Sequence, residues 1–600
     1  MSIAEPPARE AEHGGHHADG SFVNAPLPFL RGGDGQLRWG LAIGAVLVLA
    51  LGLRLWGVKQ GLPYAYNADE NAHFVTRAIG LFGHDWNPNY YVNPPAYTYI
   101  VHIALAIFYG GRAGVSNAFA ADPTNIWILS RVLAGLLGTL SVWLLYLAGS
   151  RLIDRRVGLL CAGIMAVAFL PVFYSKLALN DVPTLVGVCL ALWGTAGILR
   201  FGRARDYLFA GIGLGLACAT KYTGGIVLLA ILGAVGAQFA ASGGKGFAAR
   251  GLAITAAASL VTFVVANPYS VLDFSAFVEG LTHQSDASGD AAGKLGLTQK
   301  NGYAYYLWSF GWGLGWLPLV LAAGGAVRLW FDERRLVGIL VPPVIIFVLF
   351  MGSQERYFGR WLLPVFPFVC ILAAYAAIEA VDYAARTLPA LRPTFIAVAV
   401  VAVCGQGFVY SLHSGLVLSR DDTRNLARDW MVANVPAGKK VVIEPVVPDQ
   451  WAQDIGNPLP IIPNGNRWNK YPLSRSQIDP KTGQRLPGDG IIVNIEDFER
   501  VLRPELVDFF EQQEYCWVVV GSTQRGRAEA EPGVVPNALA YYRELERRSK
   551  VVYDASPYSK GKGPVGFNFD WTFNYYPLAY HRPGPEMTVY RLQGGQCAGG

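Results

Sequence analysis

Two adjacent carboxylates, Asp69 and Glu70, follow closely on the first strongly apolar segment of the chain, at residues 39–57. His73 lies four residues after Asp69, so the two side chains share one face of a short predicted helix. A carboxylate at the mouth of a membrane cavity suits general-base catalysis, because it is ionised at neutral pH and gains basicity when partly desolvated. Asp69 is the first candidate for that role. Glu70 is either a second catalytic acid or part of a helix cap with Asn67, three positions earlier.

A third acid and several cations lie in other predicted outer loops. Asp181 precedes the apolar segment that begins at Val182, and it is either a further catalytic acid or the N-terminal cap of that segment. Acids at one end of a cavity and cations at the other suit a reaction with an anionic leaving group, since Arg and Lys both bind phosphate. A single cation at the end of a span would only contact lipid headgroups. The candidate substrate-binding residues in these loops are Lys221, Tyr222, Arg356, Tyr357 and Arg360.

The composition predicts a membrane protein with a water-exposed C-terminal part. The chain has 600 residues, of which 52% are hydrophobic and 15% are charged, and soluble proteins usually carry about 25% charged residues. No basic run with interleaved aromatic residues indicates nucleic-acid binding. We predict a disordered cytoplasmic tail at 1–38, a transmembrane domain at 39–412 with its first outer loop at 58–125, and an extracytoplasmic α/β domain at 413–600.

Eleven apolar segments predict membrane spans, since about 20 apolar residues cross the bilayer core. Basic residues are concentrated in alternate loops, which predicts a cytoplasmic N-terminus and an external C-terminal domain. This threading requires the apolar segment 94–110 to lie at the membrane interface as a helix. The predicted spans are 39–57, 126–149, 157–175, 182–199, 207–220, 223–240, 251–266, 303–325, 336–351, 361–382 and 394–412.

The order of several short motifs resembles that of the C-type membrane glycosyltransferases, in particular the branch that holds the protein O-mannosyltransferases and the lipid A aminoarabinose transferases. The resemblance covers nearly the whole chain after the tail. Each motif alone is weak, and their order is the specific feature. The matching stretches are Asp69-Glu70 with His73, Asp85-Trp86, Pro94-Pro95 with Tyr97, Lys176 to Asp181, Gly213 to Ala217 before Lys221, Asn267-Pro268-Tyr269, Glu355-Arg356-Tyr357, Leu363-Pro364, Arg424 to Trp430, Asn434 to Gly438, and Arg582 to Arg591.

This resemblance implies a C-type fold and an inverting transfer of one sugar from a polyprenyl-phosphate carrier to an acceptor hydroxyl at the outer face of a bacterial inner membrane. Asp69 is then expected to be the general base, and His73 and Tyr97 are expected to contact substrate. Lys221, Arg356 and Tyr357 are expected to stabilise the leaving lipid phosphate. The sugar, hexose or pentose, and the acceptor, a lipid, a glycan or a protein, stay open.

Two positions differ from the resembled family. Where the aminoarabinose transferases have Glu-Lys before the Pro-Pro pair, this chain has Val92 and Asn93. The missing Lys argues against aminoarabinose transfer. The missing Glu removes a carboxylate of the kind that holds a metal in relatives, so we expect neither a metal nor another cofactor. The competing interpretation is a lipid or glycan transporter, but the charges cluster at one end of the spans and no internal repeat is visible.

The C-terminal part has the mixed pattern of an α/β domain. Helices are expected at 424–432 and 537–548, and buried strands at 440–443 and 517–520. Cys516 and Cys597 form a disulfide only if this part lies in an oxidising compartment. The aromatic stretch 567–576 either stacks on sugars or packs the domain against the membrane part, and packing is the favoured interpretation.

Overall fold

The fold is known from a computed structural model of the chain. It describes residues 34–83, 85–242, 245–288, 295–296, 301–454, 466–472, 475–480, 482–488, 490–493, 495–572 and 574–598. Residues 1–33 of the predicted tail lie outside the described residues. The chain divides into two compact units, Met1–Ala45 and Val46–Gly600. The described part of the first unit, residues 34–45, is the beginning of a helix, and the features below belong to the second unit.

The described part of the chain before residue 420 consists of helices joined by turns and loops. Its helices run in chain order as α1 Asp34–Leu55, α2 Val75–Gly80, α3 Ala96–Tyr109, α4 Arg112–Ala121, α5 Thr124–Leu152, α6 Arg155–Val167, α7 Phe169–Tyr174, α8 Thr184–Phe201, α9 Ala204–Thr220, α10 Leu228–Ser242, α11 Lys245–Ala266, α12 Tyr269–Leu272, α13 Phe274–Ser288, α14 Gly302–Phe310, α15 Trp316–Asp332, α16 Arg334–Gly352, α17 Phe366–Thr387 and α18 Arg392–Leu418.

Nine helical segments among the described residues are long and apolar enough to cross a membrane, so the polytopic helical fold is confirmed. The predicted count of eleven stays a prediction, for two physical reasons. The predicted span 157–175 is broken between α6 and α7 at Ala168, whose backbone is not helical. The predicted span 207–220 is α9, which has only 17 residues. Helices α3 and α4 are bent by 90° and would together make a tenth span, so the interfacial position of 94–110 also stays a prediction.

Small residues allow close packing of the helices that carry the site. A Cβ on Gly187 of α8 would lie 2.4 Å from the backbone nitrogen of Ala217 on α9, and one on Gly213 would lie 2.3 Å from that of Ala191. Such contacts between backbones require glycine, as is common in membrane helix pairs. They hold the ends of α8 and α9 in one place, and the functional loops begin at those ends.

The C-terminal part is a sheet with helices on both faces. Its elements are α19 Thr423–Asn434, β1 Lys440–Ile443, β2 Asn469–Lys470, β3 Arg475–Ser476, β4 Ile491–Ile492, α20 Phe498–Val501, α21 Glu505–Gln512, β5 Trp517–Gly521, α22 Ser522–Ala530, α23 Pro536–Arg548, β6 Ser549–Ala555 and β7 Met587–Leu592. The main sheet has the order β2-β1-β5-β7-β6. Strand β1 is parallel to both β2 and β5, whereas β7 is antiparallel to β5 and β6. The expected helices and strands of this α/β domain are therefore present.

Alternating side chains of the central strands build two cores. Val441 of β1 packs on one face with Met431 of α19, and Val442 packs on the other face with Tyr541 of α23. Helix α19 begins at Asp422, whose side chain accepts a hydrogen bond from the backbone N–H of Arg424. This three-layer arrangement places the loops that follow β1 and β5 at one end of the sheet.

The aromatic stretch 567–576 packs the C-terminal part against the membrane helices. The ring of Tyr575 lies 5.2 Å from that of Phe173 and 4.7 Å from that of Trp312, between ring centroids. The hydroxyl of Tyr305 donates to Asp570 at 2.7 Å. These contacts confirm the packing interpretation of this stretch. The cysteines Cys516 and Cys597 form a disulfide across 81 residues of sequence.

Candidate functional site

A cavity of about 890 Å³ lies between the membrane helices and the C-terminal sheet. Its walls come from the first outer loop, the loops at the ends of α7 to α9, the segment before α17, and the loops that follow β1 and β5. Most of the predicted site residues line it. Those are Asp69, His73, Asp181, Lys221, Tyr222, Arg356 and Arg360.

Asp69 stands at the start of a single π-helical turn, Glu70–Phe74. Its Oδ2 lies 2.5 Å from Nη2 of Arg360, and its Oδ1 lies 3.9 Å from Nε2 of His73. Desolvation in the cavity raises the pKa of Asp69, but the guanidinium of Arg360 and, less strongly, the neighbouring His73 outweigh it, so the pKa lies below its usual value. Asp69 is therefore an ionised carboxylate with a cation as its partner.

Asp181 and Lys221 form a second ion pair in the same cavity, with the ammonium of Lys221 donating to Oδ1 of Asp181. Lys221 follows the last turn of α9 in an extended conformation, which turns its side chain away from the helix. The amide of Asn180 donates to the carbonyl of Thr220 at 2.8 Å and joins the two loops. The interpretation of Asp181 as a helix cap is wrong, because α8 begins after Pro183 and has no side-chain cap.

Arg360 links the two pairs. Its Nε lies 4.0 Å from Oδ1 of Asp181, while its Nη2 binds Asp69. Arg360 reaches this position because the chain before α17 is a 3-10 turn, Gly359–Val365, rather than a continuous helix. We call Asp69, Asp181, Lys221 and Arg360 the ionic cluster. The formal charges of its two carboxylates and its two cations sum to zero.

Glu70 lies beside Asp69 in sequence but faces away from the cavity. It is fully buried, and its two carboxylate oxygens accept hydrogen bonds from Nε and Nη2 of Arg131 at 2.7 and 2.8 Å. The backbone N–H of Ala178 donates to the same carboxylate at 2.9 Å. The capping interpretation holds only for Asn67, whose side chain accepts from the backbone N–H of Glu70 at 3.1 Å. Glu70 thus ties the first outer loop to α5 and to the loop after α7, and the structure does not bring it to the cavity as the predicted second acid.

Two more predicted substrate-binding residues do not line the cavity. Tyr97 is fully buried, and its hydroxyl donates to the carbonyl of Ser130 at 2.7 Å. Tyr357 is 4% exposed and packs against the ring of Tyr305, with 4.5 Å between the ring centroids. The structure places both side chains in the packing around the site. The prediction that they contact substrate directly is therefore corrected: they support the cavity wall from behind.

The other predicted residues form the remaining wall. The imidazole of His73 stacks on the ring of Tyr90 at 4.9 Å between centroids, and burial lowers the pKa of His73 below its usual value. The hydroxyl of Tyr222 donates to the backbone carbonyl of Tyr91 at 2.8 Å, which leaves its ring against the cavity. Arg356 also lines the cavity, and it precedes the turn that carries Arg360.

The sequence analysis missed two features of the site. One is Arg131, an arginine within the apolar segment 126–149, where an ionisable group normally has a partner. The other is Arg424, which lies with its guanidinium 3.5 Å above the ring of Tyr66 and makes two hydrogen bonds to the carboxylate of Asp422. Arg424 and Tyr66 both line the cavity, but they are far apart in the chain, and no local pattern joins them.

This geometry suits a transfer reaction that releases an anion. Asp69 can take a proton, and Lys221 and Arg360 present a point charge and a planar fork to a phosphate. No group of three or more His, Cys, Asp or Glu side chains with metal-binding geometry occurs among the residues that the structure describes.

The comparison with protein families matches residues 92–270 to the model described as dolichyl-phosphate-mannose-protein mannosyltransferase. None of the curated proteins matches the chain. Among solved structures, the apo oligosaccharyltransferase of Archaeoglobus fulgidus is 12% identical, with a TM-score of 0.52 over 92% of this chain and 88% of that one. ArnT of Cupriavidus metallidurans bound to undecaprenyl phosphate is 17% identical, with a TM-score of 0.42 over 66% of this chain and 72% of that one.

The resemblance inferred from the sequence is therefore confirmed. The chain has the C-type fold of the membrane glycosyltransferases and is a polytopic membrane protein, and its residues 92–270 match the mannosyltransferase family model. The assignment of the fold rests on the similarity to the archaeal enzyme.

Proposed function

We propose that this chain is an inverting glycosyltransferase that moves one sugar from a polyprenyl-phosphate carrier to an acceptor hydroxyl. The observation that supports this most strongly is the ionic cluster in the cavity. Two acids and two cations alternate there in one continuous set of contacts, with Arg360 between Asp69 and Asp181. A base and an anion-binding group in direct contact fit a reaction in which a hydroxyl attacks and a phosphate leaves.

The roles follow from the charge balance of that reaction. Asp69 removes the proton of the acceptor hydroxyl as its oxygen forms a bond to the anomeric carbon. The bond from that carbon to the phosphate oxygen breaks on the opposite face, and its electron pair leaves with the lipid phosphate. Lys221 and Arg360 stabilise the resulting anion, and Arg356 lines the same cavity. Removing one preorganised charge of this kind typically costs about 10²–10³ in kcat.

In the absence of donor, Arg360 is already neutralised by Asp69. A bound phosphate competes for the guanidinium, because Arg binds phosphate through the same planar fork. Donor binding thus weakens the hold of Arg360 on Asp69 and raises the basicity of that carboxylate at the moment when the leaving group is in position. Burial lowers the pKa of the neighbouring His73 below its usual value.

Two features support transfer at the outer face, with the C-terminal domain outside the cytoplasm. The disulfide between Cys516 and Cys597 forms and persists in an oxidising compartment. The basic loops of the sequence lie on the side opposite to this domain in the predicted threading. Both features agree with a cytoplasmic N-terminus and an inner-membrane location.

The test is sugar transfer by the purified protein from a panel of radiolabelled polyprenyl-phosphate sugars to acceptor extracts. Asp69→Asn keeps the size of the side chain and removes the base, and Asp85→Asn is the matched control because Asp85 is exposed and lies outside the cavity. We expect Asp69→Asn to bind donor and to lose about 10²–10⁴ in rate, while the control stays active. Equal rates in wild type and Asp69→Asn would remove Asp69 as the base. No consumption of any donor by wild type would favour the transporter interpretation.

A further inference from the structure

The C-terminal sheet contributes its own end to the cavity. Pro445 and Val446 follow β1, and Thr523 and Gln524 follow β5, and all four line the cavity. Strands β1 and β5 are parallel neighbours, so these residues lie at the carboxyl ends of both strands. The chain runs from β1 to β2 on one side and then to β5 on the other, which makes the crevice between β1 and β5 a topological switch point. Ligands of α/β sheets bind in crevices of this kind.

Gln524 brings to this crevice a buried side-chain atom that lacks a hydrogen-bond partner among the described residues. Its side chain is 1% exposed, and its Nε2 donates to the carbonyl of Pro445 at 3.3 Å. Its Oε1 has no hydrogen-bond partner within the described part of the chain. A buried amide oxygen without a donor is unfavourable, because it has lost its hydrogen bonds to water. A ligand that brings an O–H or N–H group to this side of the cavity removes that cost.

Two arginines that line the cavity have partners of opposite charge. Arg527, one turn after Gln524 along α22, lies with its Nε 3.2 Å from Oε1 of Glu499. Arg424 makes two hydrogen bonds to Asp422. Oε1 of Gln524, by contrast, is a neutral hydrogen-bond acceptor without a partner among the described residues. The crevice therefore matches a neutral ligand rich in hydroxyl groups better than an anion.

The strands at the crevice offer no edge to an extended peptide. Strand β1 is paired with β2 and β5, and β5 is paired with β1 and β7. Recognition therefore rests on side chains, namely the amide of Gln524 and the hydroxyl of Thr523, with the aromatic ring of Tyr66 in the same cavity. Aromatic faces beside hydrogen-bonding side chains are suited to the alternating apolar faces and hydroxyls of a saccharide.

We propose that the crevice at the ends of β1 and β5, with Gln524 as its key residue, is the binding subsite for a neutral carbohydrate acceptor. The role of the saccharide as an acceptor rests on the proposed function, whereas its binding needs neither donor nor turnover. The C-terminal domain then holds the acceptor glycan in the cavity that also contains Asp69. The hydroxyl that Asp69 deprotonates then belongs to a saccharide.

The test measures binding of neutral trisaccharides of mannose, glucose, galactose or arabinose to the full-length protein in detergent by saturation-transfer NMR. We expect at least one trisaccharide to bind wild type, and Gln524→Leu to weaken its binding about tenfold. Gln512→Leu, an exposed change at the end of α21, is the matched control and keeps wild-type binding. If Gln524→Leu does not fold, Gln524→Asn, which withdraws the amide by one methylene group, is expected to lose affinity as well.

The outcomes separate the two proposals. Loss of trisaccharide binding in the Gln524 variants, with retention in Asp69→Asn, supports the subsite whether or not sugar transfer is found. No trisaccharide binding, or binding that is the same in the Gln524 variants, overturns it even if wild type transfers sugar. Binding of a Ser/Thr-rich hexapeptide that depends on Gln524, without trisaccharide binding, overturns the carbohydrate class.

Discussion

Replacing Arg360 by Gln tests the link between the base and the anion site. In the structure the side chain of Arg360 is 14% exposed, its Nη2 lies 2.5 Å from Oδ2 of Asp69, and its Nε lies 4.0 Å from Oδ1 of Asp181. The change removes one cation from the leaving phosphate, which is expected to cost about 2.7–4 kcal/mol, or about 10²–10³ in kcat.

The same change has a second, independent effect on the pH dependence. Burial raises the pKa of Asp69, and Arg360 is the strongest of the groups that lower it. Without that guanidinium, burial is opposed only by weaker neighbours, so the pKa of Asp69 rises. Activity requires the carboxylate and is lost as the pH falls through this pKa. In wild type the pKa of Asp69 lies below its usual value, and in Arg360→Gln the loss of activity moves to higher pH.

The assay is the initial rate of sugar transfer from about pH 3 to pH 8, with donor well below KM for the acid limb of the free enzyme and with saturating donor for kcat. Arg360→Lys keeps the charge without the fork, so we expect it to retain most of the wild-type acid limb while kcat falls. Arg112→Gln is the control, because Arg112 is exposed and lies outside the cavity. An acid limb in Arg360→Gln that coincides with that of wild type would refute the electrostatic link to Asp69.

Three further predictions concern stability. Glu70→Gln leaves the buried guanidinium of Arg131 without its carboxylate, so we expect a loss of about 3–5 kcal/mol, measured as a lower midpoint of thermal unfolding. Cys516→Ser removes the bridge to Cys597 and is expected to cost about 2–5 kcal/mol; a reductant should lower the midpoint of wild type to that of the variant and leave the variant unchanged. Burial raises the pKa of Glu444 from 4.5 to about 8, so the folded state holds this proton more tightly than the unfolded state does. Its contribution to stability is full below about pH 4.5 and is lost as the pH rises through about 8, and Glu444→Gln should flatten unfolding midpoints measured across that range.

The sequence predicted the elements of this fold better than their contacts. Strands 440–443 and 517–520 and the break at Lys221 were recognised because apolar runs and a charged residue between them are local signals. The span count was less secure, since α7 and α9 are short helices buried among others and do not need the length of a lipid-exposed span. Their burial depends on neighbours that are distant in the sequence.

The candidate site shows the same limit. Asp69 and Arg360 were both singled out, but their direct contact joins residues 291 positions apart, and nothing in either local pattern selects one partner over another. The division of labour between Asp69 and Glu70 was also hidden, because adjacent residues in a helical turn point in different directions and only the packed structure shows which one meets the cavity. Nothing in the sequence singled out Gln524, because only the packed structure shows that its Oε1 has no hydrogen-bond partner among the described residues.

The two adjacent acids explain how the first outer loop can be both rigid and reactive. Glu70 is fixed by Arg131 and by the backbone of Ala178, so the π-helical turn that carries Asp69 cannot move freely. The carboxylate of Asp69 accepts a hydrogen bond from Arg360, a contact that a phosphate can replace. A donor therefore changes the partner of the base without having to move the base. Donor binding thus changes the electrostatics at Asp69, whereas Glu70 stabilises the loop. We therefore expect variants of Asp69 to lose rate and variants of Glu70 to lose stability.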